Sequence, residues 1–196
     1  MSDIRSRLAG GETLFGTFLG LGSALATEAC AVAGFDWLLA DLEHGAGDER
    51  ALLHQQVAAE AHGIPMFARV ESAERIRTGR LLDTGVAGVM FPRLETVDEV
   101  QTAVRHLRYP PDGDRGVATY NRVYGFGLHP EGLTSANAGV VGIVLEAART
   151  AGAVVPVGAL VAQLMAALRA RGDGSLDHTA LLALTEGLSG RGRDDV

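Results

Sequence analysis

Hydrophobic positions along this chain fall into short uninterrupted runs separated by stretches in which apolar residues recur every three or four positions. The runs are Leu14–Leu21, Phe35–Ala40, Pro65–Val70, Val86–Pro92 and Val140–Leu145. Most are apolar on both faces, as strands of a parallel sheet must be when one face meets helices and the other an interior. The intervening stretches Asp48–His62 and Thr96–Leu107 have the periodicity of amphipathic helices. This alternation predicts an α/β fold: about five parallel strands of a partial (β/α) TIM-type barrel, followed by C-terminal helices. A long connection, Tyr109–Ala138, reads as irregular and binding-loop-like.

From about Leu145 the texture changes and no further β-run appears after residue 160. Leu145–Ala151 reads as helical, Gly152 and Pro156 break it, and Val157–Arg171 reads as a second helix. Gly172-Asp173-Gly174 makes a turn, and Asp177 is placed to cap a last helix through Leu188. The expected division is therefore a partial barrel over residues 1–144 and a helical tail over 145–196. A full barrel of this kind typically needs ~250 residues, so the chain is expected to end before closure, leaving edge strands that favour a homo-oligomer.

Composition narrows the function. The 196 residues carry a formal net charge of -7, with 17 basic residues scattered along the chain. Nucleic acids and anionic membranes recruit clustered Lys and Arg, so neither is an expected partner. No apolar run approaches the ~18 residues of a membrane span, there is no secretory leader, and Cys30 is the one cysteine; a cytoplasmic location is expected.

In a βα barrel, chemistry sits at the carboxyl ends of the strands. Asp41-Leu42-Glu43-His44-Gly45 follows the second run, Arg69 ends the third, Asp83-Thr84-Gly85 precedes the fourth, and Arg93 and Glu95 follow it. A histidine beside carboxylates can act as a general base near neutral pH, and a guanidinium can hold a carboxylate and an enolate oxygen. Alternatives stand beside these readings. Arg69 could be a surface ion-pair partner, Asp83 a loop cap, and Asp41 and Glu43 either supporting groups or ordinary polar strand-end residues. Arg115 reads as a loop anchor, Trp37 as core, Cys30 as a small buried hydrophobe, and His54, His62, His106 and His129 lack metal-like spacing.

The stretches Gly34-Phe35-Asp36-Trp37-Leu38-Leu39-Ala40-Asp41-Leu42-Glu43-His44, Phe67-Ala68-Arg69-Val70, Leu81-Leu82-Asp83-Thr84-Gly85 and Arg108-Tyr109-Pro110-Pro111-Asp112-Gly113-Asp114-Arg115-Gly116-Val117 resemble, in order and spacing, the HpcH/HpaI aldolase and citrate lyase family. The resemblance implies a carbon–carbon lyase, a class II aldolase that cleaves a small 2-oxo acid substrate, a 4-hydroxy-2-oxo acid, to pyruvate and an aldehyde. It implies His44 as general base oriented by Asp83, and Arg69 as the group that binds the pyruvate carboxylate and stabilises its enolate. It also implies a divalent metal cofactor (magnesium, manganese or cobalt) acting as Lewis acid, held by a glutamate after the fifth strand, here Glu146, and an aspartate after the sixth. Two departures bear on the metal: the sixth-strand Gly-Pro-x-Asp-Leu stretch has no counterpart, and Glu146 falls one residue early, which along a strand turns a side chain to the other face.

Residues 145–196, through Leu145-Glu146-Ala147-Ala148-Arg149, Val155-Pro156-Val157 and Gly172-Asp173-Gly174-Ser175-Leu176-Asp177-His178, resemble the C-terminal tail of the 3-hydroxyisobutyrate and tartronate semialdehyde dehydrogenase family. The chain lacks that family's Gly-rich dinucleotide loop, so no nicotinamide site is implied. The alternative to the lyase is a non-catalytic remnant, or a fusion of aldolase and dehydrogenase fragments, acting through assembly.

Overall fold

The computed structural model describes residues 4–144, all within the compact unit that runs from Met1 to Ala147. The expectations for Leu145–Leu188, including Glu146, lie outside the described residues. Element order is α1 (Ile4–Ala9), β1 (Gly16–Leu19), α2 (Ala24–Val32), β2 (Trp37–Asp41), α3 (Glu49–Ala61), β3 (Met66–Arg69), α4 (Arg75–Asp83), β4 (Gly88–Met90), α5 (Val97–Leu107), two short 3-10 turns, α6 (Leu133–Gly139) and β5 (Val141–Ile143). The five strands form one parallel sheet in the order β1-β2-β3-β4-β5. The five apolar runs thus become five strands, each shorter than its run. Among the described residues no helix is long and apolar enough to cross a membrane.

Helix starts follow their caps. The Ser23 hydroxyl accepts from the Ala26 N–H and the Asp48 carboxylate from the Ala51 N–H. Thr96 and Glu99 form a reciprocal capping box at α5.

Strand residues alternate between two apolar layers. On the helix-facing side Leu38, Ala40, Met66, Ala68 and Val89 join Leu52, Leu81, Leu82, Ala103 and Leu107 in one buried core. On the opposite side Leu39 and Phe67 pack with Ile4, Leu14, Trp37 and Met90. Trp37 is half-buried rather than fully core, its ring edge-on to Phe67 at 6.1 Å; it lies where any side chain at Gly16 would stand, so its place depends on that glycine. Cys30 is likewise half-buried against the helix-side core.

The connection expected to be irregular contains α6, which is a correction to the sequence reading. Its two turns carry no apolar stripe. They are tied down by polar bonds instead: Asn137 accepts from the Tyr109 N–H at 2.7 Å and donates to the Tyr109 carbonyl and the Asp112 carboxylate, each at 3.0 Å. Arg115 anchors the same loop, its side chain only 5% exposed, 2.8 Å from Asp83 and stacked 4.4 Å above the Tyr109 ring.

Candidate active site at the strand ends

Register brings the site together. Asp41 is the last residue of β2 and Arg69 the last of β3, and the two are direct partners across the parallel ladder. They have the same parity as Leu39 and Phe67, so both side chains stand on the face away from the core helices. There the Arg69 Nε and Nη2 donate to the two Asp41 carboxylate oxygens at 2.9 and 2.6 Å, a bidentate pair. The guanidinium also lies 5.2 Å from the Phe18 ring centroid and 3.4 Å from Glu43.

After Asp41 the chain turns sharply. The Asp41 carboxylate accepts from the backbone N–H of Glu43 and of His44, at 3.1 and 3.2 Å, which fixes the loop and aims both side chains. Glu43 is 7% exposed and serves as the hub: its carboxylate is 3.4 Å from Arg69, 3.3 Å from Arg93 and 3.7 Å from the His44 Nε2. The His44 and Arg93 side chains are 72% and 69% exposed, the two members of the cluster that face outward. Burial pushes the Asp41 carboxyl up, but the Arg69 guanidinium and the two loop N–H groups outweigh it and hold the group below the ordinary carboxylate range. Arg69 is shifted upward in turn, first by its hydrogen bonds to Asp41.

Asp83 is not brought to His44. It ends α4, a helix that returns from the carboxyl end of β3 to the start of β4, so Asp83 lies towards the end of the sheet where the strands begin. Its carboxylate accepts from Arg115 at 2.8 Å. Within this unit the carboxylate beside the imidazole is that of Glu43, 3.7 Å from Nε2. Sequence reasoning left Glu43 undecided; its signal was its place directly before His44 on a strand end. Arg93, noted only as a strand-end residue, joins the cluster through Glu43.

Among the described residues no three of His, Cys, Asp and Glu come together as a metal site would require. The two acids nearest His44 are already engaged by guanidinium groups, so this donor set does not fit a divalent ion, and Glu146 lies outside the described residues.

A parallel βα sheet that gathers its carboxylates, guanidinium groups and a histidine at the carboxyl ends of its strands belongs to the TIM-type α/β class. Its family follows from comparison: the sequence model of the HpcH/HpaI aldolase/citrate lyase family matches residues 14–186, and the chain belongs to that family. The match continues through most of the segment for which a dehydrogenase tail was expected. Relatives include a hydroxypyruvate/pyruvate aldolase of Paraburkholderia phytofirmans, 42% identical over 153 residues that span 74% of this chain and 59% of that protein. A 4-hydroxy-2-oxovalerate aldolase of Rhodococcus jostii is 39% identical over 145 residues, 74% of this chain and 56% of that one. The crystal structure of an HpcH/HpaI aldolase/citrate lyase family protein from Burkholderia cenocepacia superposes with TM-score 0.70 at 38% identity, covering 78% of this chain and 66% of the other. The chain thus spans little more than half the length of the curated relatives it matches.

Proposed function

We propose that this chain is an aldolase-type lyase that cleaves a 4-hydroxy-2-oxo acid to pyruvate and an aldehyde. The observation that carries the reading is the ladder pairing of Asp41 with Arg69 at the carboxyl ends of β2 and β3, with His44 in the loop between β2 and α3. His44 takes the proton of the substrate's C4 hydroxyl. The C3–C4 bond breaks, the aldehyde leaves, and the electron pair remains as the pyruvate enolate, which is protonated at C3. Arg69 binds the substrate carboxylate and stabilises the enolate oxygen, while Asp41 fixes the guanidinium's plane and Glu43 steadies the imidazolium. The divalent ion implied by the family enters no step here: Glu146, the residue named for it, lies outside the described residues, and Asp41 and Glu43 are held by Arg69 and Arg93. No step draws on the dehydrogenase likeness.

The test is continuous detection of pyruvate released from a 4-hydroxy-2-oxo acid. Replacing His44 by Ala should lower the rate by ~10²–10⁴, the usual worth of general-base catalysis. Arg69→Lys should raise KM as well, since an ammonium cannot form the planar fork. A His44→Ala, Arg69→Ala double variant as fast as the parent would overturn the assignment.

A further inference from the structure

His106 lies in the last turn of α5 with its side chain 15% exposed, and both ring nitrogens face acceptors. Nδ1 is 2.8 Å from the Ala73 carbonyl oxygen. A carbonyl has no proton to give, so Nδ1 carries the hydrogen and donates it. In a neutral ring Nε2 is then bare. It stands 3.8 Å from Oδ1 of Asp114, a buried oxygen without a hydrogen-bond partner among the described residues. Two lone pairs that face each other away from water are unfavourable. A second proton on the ring turns the same geometry into an ion pair, which becomes a hydrogen bond if the gap closes by about 1 Å.

The chain builds this contact from two sides. After α5 it folds straight back, with the Asp114 N–H donating to the Arg105 carbonyl at 3.0 Å and the Arg115 N–H to the Arg108 carbonyl at 2.9 Å. Gly113 permits the return, since a Cβ there would stand 2.2 Å from the Arg105 carbonyl oxygen. Asp114 is thereby laid beside the imidazole. On the other side Ala73 belongs to the loop between β3 and α4, which begins directly after Arg69 and packs on the helix-side core through Ala73. His106 therefore joins two loops, and the strength of the joint depends on the ring's charge.

Charged groups on the surrounding elements pull in both directions. Arg105, on α5 itself, holds the other Asp114 oxygen, Oδ2, at 3.1 Å and opposes a positive ring. Arg108 at the C-cap of α5 opposes it too, as does Arg75 at the start of α4, whose Nη1 is 3.9 Å from where a Gly116 Cβ would stand. Glu74, next to Ala73, makes no capping bond with its side chain and favours the positive ring. The other charges of α4 and its loop turn elsewhere: Glu71 to Arg77, Arg77 and Arg80 to Glu49 on α3, and Asp83 to Arg115. Asp112 accepts from Asn137, and Glu99 is engaged in the capping box at the far end of α5. Asp114 is the charge nearest Nε2, and its buried oxygen decides the balance.

We propose that His106 is a pH-sensitive clasp: the doubly protonated imidazolium ties the β3–α4 loop to the turn after α5 through Ala73 and Asp114, and loss of the Nε2 proton releases the Asp114 side. The inference is independent of the lyase reading.

NMR of the histidine ring C–H signals from pH 5 to pH 9 tests it, with His106 assigned by its absence from a His106→Gln spectrum. Removing the negative partner in Asp114→Asn should weaken proton binding at His106 by about threefold to tenfold, and removing the competing cation in Arg105→Gln should strengthen it. A ring held by packing alone would respond to neither substitution. Stability follows by linkage: a ring that holds its proton more tightly folded than unfolded contributes below the unfolded histidine value of about 6.5, and the contribution is lost as pH rises. The thermal midpoint of the parent should therefore exceed that of His106→Gln by about 2–4 °C more at pH 5.5 than at pH 8.5. The pH dependence of that gap should vanish when both proteins carry Asp114→Asn. Proton binding unchanged by Asp114→Asn, or a midpoint gap that does not vary with pH, overturns the proposal.

Discussion

Asp41 is kept ionised by a guanidinium and two backbone N–H groups even though burial opposes its charge. Its carboxyl in the folded protein therefore titrates below the unfolded value of about 3.9. A depressed carboxylate contributes stability that is fully present above the unfolded pKa and is lost as pH falls through the folded one. The expected outcome is that Asp41→Asn lowers the thermal midpoint at pH 7 and that the gap between parent and variant closes progressively below about pH 4. Thermal melts from pH 7 to pH 2.5 measure this. A gap that stays constant over the whole range would mean that the pair with Arg69 contributes nothing as an ion pair. The same residue shows what sequence could reveal of the site. Arg69 and His44 stood out as candidates because a parallel strand announces its carboxyl end with the first charged residues after an apolar run, whereas Asp41 was left open between a supporting group and an ordinary strand-end residue. Glu43 and Arg93 were not assigned, since their roles depend on a tight Asp41-centred turn and a left-handed kink that leave no period in the sequence.

At the scale of elements, α4 and the long loop after α5 are joined by the Asp83–Arg115 pair, with Arg115 buried against Tyr109. Burial also pushes the Tyr109 phenol above its ordinary range, so the ring faces the guanidinium in its neutral form. Removing Arg115 leaves Asp83 without its cation and opens space beside an aromatic ring, so Arg115→Ala should cost about 2–3 kcal/mol, with Asp83→Asn costing less. A double-mutant cycle read by denaturant unfolding should give a coupling of roughly 0.5–3 kcal/mol. Strict additivity would show that the loop is held by Asn137 and Tyr109 alone. The five strands were readable because a run that is apolar on both faces has few other ways to be buried, whereas their ends were overestimated because flanking apolar residues pack in loops, as Val86 and Phe91 do. The helix α6 had no such signal, since its stability comes from one asparagine's bonds to Tyr109 and Asp112. The Asp83 motif was legible but its place was not: a residue that closes a returning helix sits a full helix length from the strand ends that a linear motif seems to put beside it.

For the molecule as a whole, the placement of exposed apolar surface bears on assembly. Within the five-stranded sheet β1 and β5 are the outer strands. Around β1 and α2 the side chains of Phe15, Phe18, Leu21, Leu25 and Val32 are all exposed, as are Tyr120, Phe126 and Leu128 in the long loop. Single exposed apolar residues are ordinary, but Leu25 and Val32, seven positions apart on one face of α2, are the kind of paired exposure that marks an interaction site, and a strand that is outermost among the described residues is a pairing template. With a formal net charge of only -7 spread over 196 residues, repulsion between copies is modest at physiological salt, where fields between exposed charges decay over about 8 Å. The expected contact of a homo-oligomer is therefore the outer face of α2. Sedimentation velocity at rising protein concentration should show a shift from monomer to a larger species, and a Leu25→Glu, Val32→Lys variant should move that shift to higher concentration, since it places charges on the outer face of α2 without touching either apolar layer. The two substitutions are of opposite sign, so net charge is unchanged and any effect is local to the face. A parent protein that sediments as a monomer throughout, or a variant whose association matches the parent's, would place the contact elsewhere or remove it.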